Sequence, residues 1–120
     1  MKTVVVVDDS YIMRRIMESA LIGLGYNVIG EADNGHDALE VYAELKPDII
    51  TLDIVMDGIS GIDTLKQIIE IDAEANVIMI SSMSQKPIVQ DAIEAGAKGF
   101  LVKPFDEYQI KRTFEKLFDG

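Results

Sequence analysis

The sequence predicts an α/β fold: a doubly wound, five-stranded parallel sheet with five helices. Two patterns lead there. Short, nearly continuous apolar runs rich in Val and Ile recur at 3–7, 28–30, 49–52, 77–80 and 100–102. Unbroken apolar character, rather than strict alternation, is what strands covered on both faces require. Between the runs lie amphipathic stretches with helical spacing, so strand and helix alternate along the chain. Short connections with right-handed crossovers then force the strands parallel and put helices on both sides of the sheet.

Each element has its own signal. Val4-Val5-Val6-Val7 makes the first strand. In 11–24, Ile12, Ile16 and Ala20 recur at helical spacing beside Met13, Met17 and Leu21. Ser10 or Asp9 caps that helix, and Gly23 with Gly25 ends it. The second strand leads into the stripe Ala38, Tyr42 and Leu45, which Pro47 stops just before the third strand. Ile62, Leu65 and Ile69 mark the third helix; Val89, Ala92 and Ile93 mark the fourth, closed by Gly96. Ile110, Phe114 and Leu117 mark the last. No linker, repeat, low-complexity tract or second domain interrupts, so the expectation is one domain over 1–120 with no output domain.

Composition narrows the partners. With 120 residues, 48% hydrophobic and 27% charged, the chain has an ordinary globular balance and length enough for a sizeable core. A net charge of −10 argues against direct nucleic-acid binding. The absence of cysteine excludes disulfides and thiolate metal sites. No run of about 18 apolar residues suggests a membrane span, and the start Met1-Lys2-Thr3 leads into an apolar run too short for a signal peptide. The expected location is cytoplasmic.

Charged residues stand where the apolar runs end. Asp8 and Asp9 follow the first run, Asp53 follows Ile49-Ile50-Thr51-Leu52, and Lys103 follows Phe100-Leu101-Val102 and precedes Pro104. Open parallel sheets bind ligands at the carboxyl ends of their strands, where the strand order reverses. In the flavodoxin-like order 2-1-3-4-5 that point lies between the first and third strands, the gap between Asp8-Asp9 and Asp53. A dinucleotide fingerprint would put glycines after the first strand, where this chain has Asp-Asp-Ser-Tyr; a Walker-type loop is absent too. Nucleotide binding is disfavoured.

Carboxylates gathered a few ångströms apart repel, so one takes a proton or a cation neutralises them. Mg²⁺ suits such a site, because it prefers oxygen ligands and commonly uses one or two carboxylates beside phosphate oxygens. Asp9 and Asp53 are the candidate direct ligands, Asp8 acts directly or through water, and the backbone carbonyl of Val55 completes the set. Mn²⁺ is a substitute ion. Asp53 has a second capacity, since a carboxylate can attack phosphorus and form an acyl phosphate. Lys103 would then stabilise charge on the transferred oxygens. Ser81, after Val77-Ile78-Met79-Ile80, puts a hydroxyl in the same crevice. Each residue alone has a plainer reading: an Asp pair caps helices, Asp53 fits a surface turn, Lys-Pro carries little information, and Ser81-Ser82 with Ser84 reads as a loop. Joint placement at the strand ends singles them out.

Over essentially its whole length the chain resembles the receiver domain of two-component response regulators. The matching stretches are Val-Asp-Asp-Ser (7–10), Glu-Ala-x-Asn-Gly-x-x-Ala-Leu (31–39), Lys-Pro-Asp-Ile-Ile-Thr-Leu-Asp-Ile-x-Met (46–56), Gly61, Ser81-Ser82, Glu-Ala-Gly-Ala-Lys-Gly-Phe (94–100) and Lys103-Pro104-Phe105. With Ser10 and Met13-Arg14-Arg15, it is similar to the single-domain regulators of chemotaxis. The resemblance implies that Asp53 accepts phosphate from a histidine kinase and that Asp8, Asp9, Asp53 and the Val55 carbonyl organise Mg²⁺. It implies that Lys103 contacts the phosphoryl group, with the Lys103-Pro104 bond cis. Ser81 would swing toward the phosphate while Phe100 rotates inward, remodelling the face of the fourth helix, fifth strand and fifth helix. A downstream effector, such as a flagellar motor switch, would read that face, with a phosphatase resetting a monomeric switch.

The chain also departs from the pattern. Asp57 stands where the family usually has Pro, which implies a freer loop after the third strand and one more carboxylate nearby. Ser81 replaces the commoner Thr, Ser82 is small as access to Asp53 requires, and Phe100 lacks the hydroxyl of the tyrosine some members carry. Other residues read blandly. His36 lacks a second nitrogen or thiolate partner and fits a solvated helix start. Met13, Met17, Met56, Met79 and Met83 fit core or loop packing. Lys86, Pro87, Ile88, Lys98, Tyr108 and Lys111 form a candidate output face, and Glu107 serves solubility. Competing functions are weaker. A small-molecule phosphatase with an aspartate nucleophile would need an acid/base aspartate two residues on, where Val55 stands. A relay intermediate, a phosphate sink and an unphosphorylated binding module share the same residues.

Overall fold

Five parallel strands form one sheet in the order β2-β1-β3-β4-β5: β1 Thr3–Val7, β2 Asn27–Ala32, β3 Ile49–Asp53, β4 Val77–Ser81 and β5 Gly99–Val102. Helices α1 Tyr11–Gly23, α2 Gly35–Leu45, α3 Gly61–Ile71, α4 Lys86–Glu94 and α5 Glu107–Phe118 supply the crossovers. This computed structural model describes residues 1–56, 58–82 and 86–118, and of Lys86 the backbone alone. The expectations for Asp57, Met83, Ser84 and the Lys86 side chain therefore lie outside the described residues. The predicted fold and strand order are those observed. β2 extends beyond its apolar run on both sides, because an edge strand can carry the exposed Glu31 opposite Val6.

Strand alternation sorts the core into two layers. Val5, Val7, Ile50, Leu52, Val77 and Met79 pack on one side with Ala38, Tyr42, Leu65, Ile68 and Ala92 of α2–α4. On the other, Val4, Val6, Ile49, Ile78, Ile80 and Leu101 meet Met17, Leu21, Ile110 and Phe114 of α1 and α5. Phe114 is fully buried and meets the Tyr26 ring edge-on at 5.0 Å. Among the described residues no helix is long and apolar enough to cross a membrane.

Helix faces differ in detail from the sequence expectation. In α1 the stripe toward the sheet is Met17 and Leu21 with half-buried Met13, whereas Ile12 and Ile16 are 68% and 51% exposed. In α3 Leu65 is fully buried as expected, joined by Ile68 rather than Ile69, while Leu45 and Ile93 face solvent. Ser10, Asn34 and Ser60 cap α1, α2 and α3, each accepting from the N–H three residues on. At the end of α2 the left-handed residue is Lys46 (φ 45°), which turns the chain into buried Pro47.

Tyr42 gives the core layer of α2 an alkaline signature. Its hydroxyl donates to Asp72 Oδ2 at 3.0 Å, and burial, that hydrogen bond and the Asp72 charge push its phenol from 10.0 up to about 12. A raised pKa means the neutral phenol stabilises the fold at lower pH, and this contribution is lost as pH climbs from 10.0 toward about 12. Ultraviolet titration of the folded protein is expected to show a late phenolate step near that value. Tyr42→Phe should remove it and leave the other three of the four tyrosines. Survival of the late step in the variant would refute the assignment.

Candidate functional site

Alternation and register together build the site. Asp8 continues the stripe of Val4 and Val6, Asp53 that of Ile49 and Thr51, and Lys103 that of Leu101, so all three fall on the α1–α5 side. Val7 is level with Leu52, Asp53 with Ile80, and Ser81 with Val102, so the three charged residues emerge at one edge of the sheet, from the ends of β1, β3 and β5 with β4 between the last two. Ser81 and Phe100 instead continue the stripe of Val77 and Met79, toward α2–α4.

Lys103 Nζ donates to Asp8 Oδ2 at 3.1 Å and to Asp53 Oδ2 at 3.2 Å. The second oxygen of Asp8 accepts from the Ser10 N–H at 2.9 Å, and that of Asp53 from the Val55 N–H at 3.2 Å. Asp8 and Asp53 are 5% and 6% exposed. Exposed Asp9 brings a third carboxylate: one oxygen from each of the three lies within 4.8 Å of the others. Ser81 ends β4, buried, and its carbonyl accepts from the Lys103 N–H at 2.8 Å. Phe100 is half-buried against the α2–α4 core, and the Lys103-Pro104 bond is cis.

Charge is unbalanced here. Burial, and next the Asp8 charge, raise the Asp53 carboxyl above 3.8, against the opposing pull of Lys103 and the Val55 N–H. Burial alone would lower Lys103, but its hydrogen bonds and ion pairs with Asp8 and Asp53 outweigh that and raise it. One ammonium thus pairs with two desolvated carboxylates while a third stands beside them, and a small divalent cation with oxygen preference fits the donor set. The same arrangement leaves a carboxylate oxygen of Asp53 beside a fixed positive charge, as attack on an anionic phosphoryl group needs.

The remaining candidates sit apart. His36 is exposed, as a solvated helix start should be. On the candidate output face, Pro87, Lys98, Tyr108 and Lys111 are exposed, but Ile88 is partly buried against the core. Two further residues of the site have roles that the sequence alone does not assign. Arg14 Nη1 donates to the Asp8 carbonyl at 2.7 Å, and Gly61 lies directly against the Asp53–Ile54 backbone. A glycine at the first position of a helix, where alanine is the better helix former, is the one signal for the second.

The profile of the response regulator receiver domain matches residues 4–115. This chain belongs to that family. The receiver is 46% identical to chemotaxis protein CheY of Thermotoga maritima over 116 residues, which cover 97% of each chain. To CheY of Bacillus subtilis it is 44% identical over 113 residues, 94% of each. Its structure matches a chain of the CheX–CheY–BeF₃–Mg²⁺ complex of Borrelia burgdorferi with a TM-score of 0.96 at 35% identity, covering 99% of this chain and 90% of that one. Response regulators are signalling proteins, and the acid cluster of this receiver stands where its fold puts the ligand site.

Proposed function

We propose that this receiver is a cytoplasmic, phosphorylation-switched regulator of chemotaxis that takes a phosphoryl group on Asp53 from a histidine kinase. The observation that carries this reading is the Lys103 ammonium shared between the buried Asp8 and Asp53 carboxylates, with Asp9 completing an acid cluster. Similarity to proteins named chemotaxis protein CheY, and to a chain solved with BeF₃ and Mg²⁺, supports it. Asp8, Asp9, Asp53 and the Val55 carbonyl would hold Mg²⁺, which when bound supplies positive charge to the oxygens of the phosphoryl group.

The chain's own residues do the rest. An Asp53 carboxylate oxygen attacks the phosphorus of a phosphohistidine. The P–N bond breaks, its electron pair leaves on the imidazole nitrogen, and an acyl phosphate remains on Asp53. Lys103 Nζ, already within 3.2 Å of Asp53, donates to the incoming oxygens. Ser81 and Phe100 share the opposite sheet stripe, so a hydroxyl drawn to the phosphate changes the packing against which Phe100 rests. The surface of α4, β5 and α5 then offers an effector, and a phosphatase, a form distinct from the unphosphorylated one.

The test is intact mass after incubation with acetyl phosphate, with and without Mg²⁺, followed by borohydride reduction. One phosphoryl group should appear only with Mg²⁺, and reduction should convert Asp53 alone to homoserine. An adduct on another residue, or neither adduct nor Mg²⁺-dependent beryllofluoride binding, would sink the reading.

A further inference from the structure

We propose that Arg14 is a positioning residue for the cation site, holding the main chain at Asp8 and thereby the presentation of the Asp8–Asp9 pair. The inference rests on the cation reading above and deepens it. Arg14 makes two directed contacts at once: Nη1 donates to the Asp8 carbonyl at 2.7 Å, and Nε donates to Glu31 Oε1 at 2.8 Å. Its side chain is 12% exposed, so the guanidinium is packed rather than waving in solvent. Asp8 lies one residue past β1, just where pairing with β2 ends at Val7 opposite Ala32. Its N–H still donates to the Ala32 carbonyl at 3.2 Å, while its carbonyl finds its donor in the arginine. One side chain thus ties helix α1, the turn that carries both carboxylates, and strand β2.

A rigid fork suits this task. Lysine carries the same charge as a compact head group and cannot reproduce the two fixed N–H directions. The neighbouring Arg15 is a built-in control. It pairs with the same Glu31, reaches Glu18 at 3.4 Å and stacks on Tyr11, and has no hydrogen bond to Asp8 among the described residues. Both arginines bring one positive charge to the same carboxylate; only Arg14 holds the turn.

Charge and anchoring predict opposite signs. As a positive charge near the cluster Arg14 repels a cation, and its removal would tighten binding. As an anchor it lowers the freedom of the turn, and its removal weakens binding; groups that orient metal ligands are typically worth about 10–100-fold in affinity. The experiment is isothermal titration of the full chain with Mg²⁺ for wild type, Arg14→Met, Arg14→Lys and Arg15→Met.

The Kd is expected to rise about tenfold in Arg14→Met, to rise also in Arg14→Lys despite its retained charge, and to stay at the wild-type value in Arg15→Met. An unchanged or tighter Kd in Arg14→Met, or an equal rise in Arg15→Met, would overturn the assignment. If Arg14→Met does not fold, Arg14→Lys against Arg15→Lys makes the same comparison: a rise in the first alone supports the anchor, and no rise or an equal one overturns it. A wild-type chain that binds no Mg²⁺ is a separate result, because it removes the cation reading itself.

Discussion

Asp53→Asn is expected to abolish the phosphoryl adduct and, at the same time, to make the metal-free protein more stable at neutral pH. The first effect is all or none. An amide oxygen is not a nucleophile toward phosphorus under these conditions, and Lys103 and Asp8 remain as spectators. The second follows from the field at the site. Burial and Asp8 together raise the Asp53 pKa above 3.8. The stability this confers is full below the unfolded value and is lost as pH rises through the folded one, so the ionised group is a burden at pH 7. Asparagine removes that charge while keeping an oxygen for the Val55 N–H, which Asp53 Oδ1 now accepts at 3.2 Å. Mg²⁺ should reverse the ranking. A ligand at a hundred times its Kd adds about 2.7 kcal/mol to the folded state, and the variant would lose one of the three carboxylates proposed to hold the cation. Urea midpoints of both proteins, with and without Mg²⁺, measure this directly. An Asn variant less stable than wild type without metal would contradict a charge imbalance at the site.

Much of this was legible in the sequence, for identifiable reasons. Runs such as Val4-Val5-Val6-Val7 and Ile49-Ile50-Thr51-Leu52 are too uniformly apolar for a half-exposed strand, so helices had to cover both faces. Once parallel strands are given, Asp8, Asp53 and Lys103 fall at one edge. Their sharing of a single ammonium needs only the period of two. What stayed hidden has a common cause. Ile12 and Ile16 match helical spacing as well as Met13 and Met17 do, and periodicity cannot say which of two adjacent apolar stripes faces the sheet. The Arg14–Asp8 and Gly61–Asp53 contacts involve main-chain atoms that every residue carries, so no residue type announces them. The left-handed turn at Lys46 likewise uses a residue with no special preference for it.

Gly61→Ala tests how tightly the site's backbone is packed, and its sign runs against helix propensity. At an ordinary helical position, replacing glycine by alanine stabilises by about 0.5–1 kcal/mol. Gly61 begins α3 after the Ser60 cap, and its N–H donates to the Ile54 carbonyl at 2.8 Å. A Cβ built there would lie 2.5 Å from Ile54 Cα and 2.8 Å from the Asp53 carbonyl carbon, and closer still to that carbonyl's oxygen. These are backbone atoms at the end of a buried strand, so no side chain can swing aside to make room. Overpacking of this kind costs typically about 1–3 kcal/mol, and the rigid neighbours put Gly61→Ala at the upper end. Relief requires the start of α3 and the Asp53–Ile54 peptide to move apart, which also shifts the proposed acceptor carboxylate relative to Lys103. The variant should therefore lose stability and form the phosphoryl adduct more slowly at saturating Mg²⁺. Gly23→Ala at the end of α1 is the matched comparison: its Cβ would meet nothing within 4 Å, and it should leave both quantities at or slightly above wild type. A Gly61→Ala protein as stable as Gly23→Ala would mean that the β3–α3 connection yields without cost, and that Asp53 is held by its hydrogen bonds rather than by the chain beneath it.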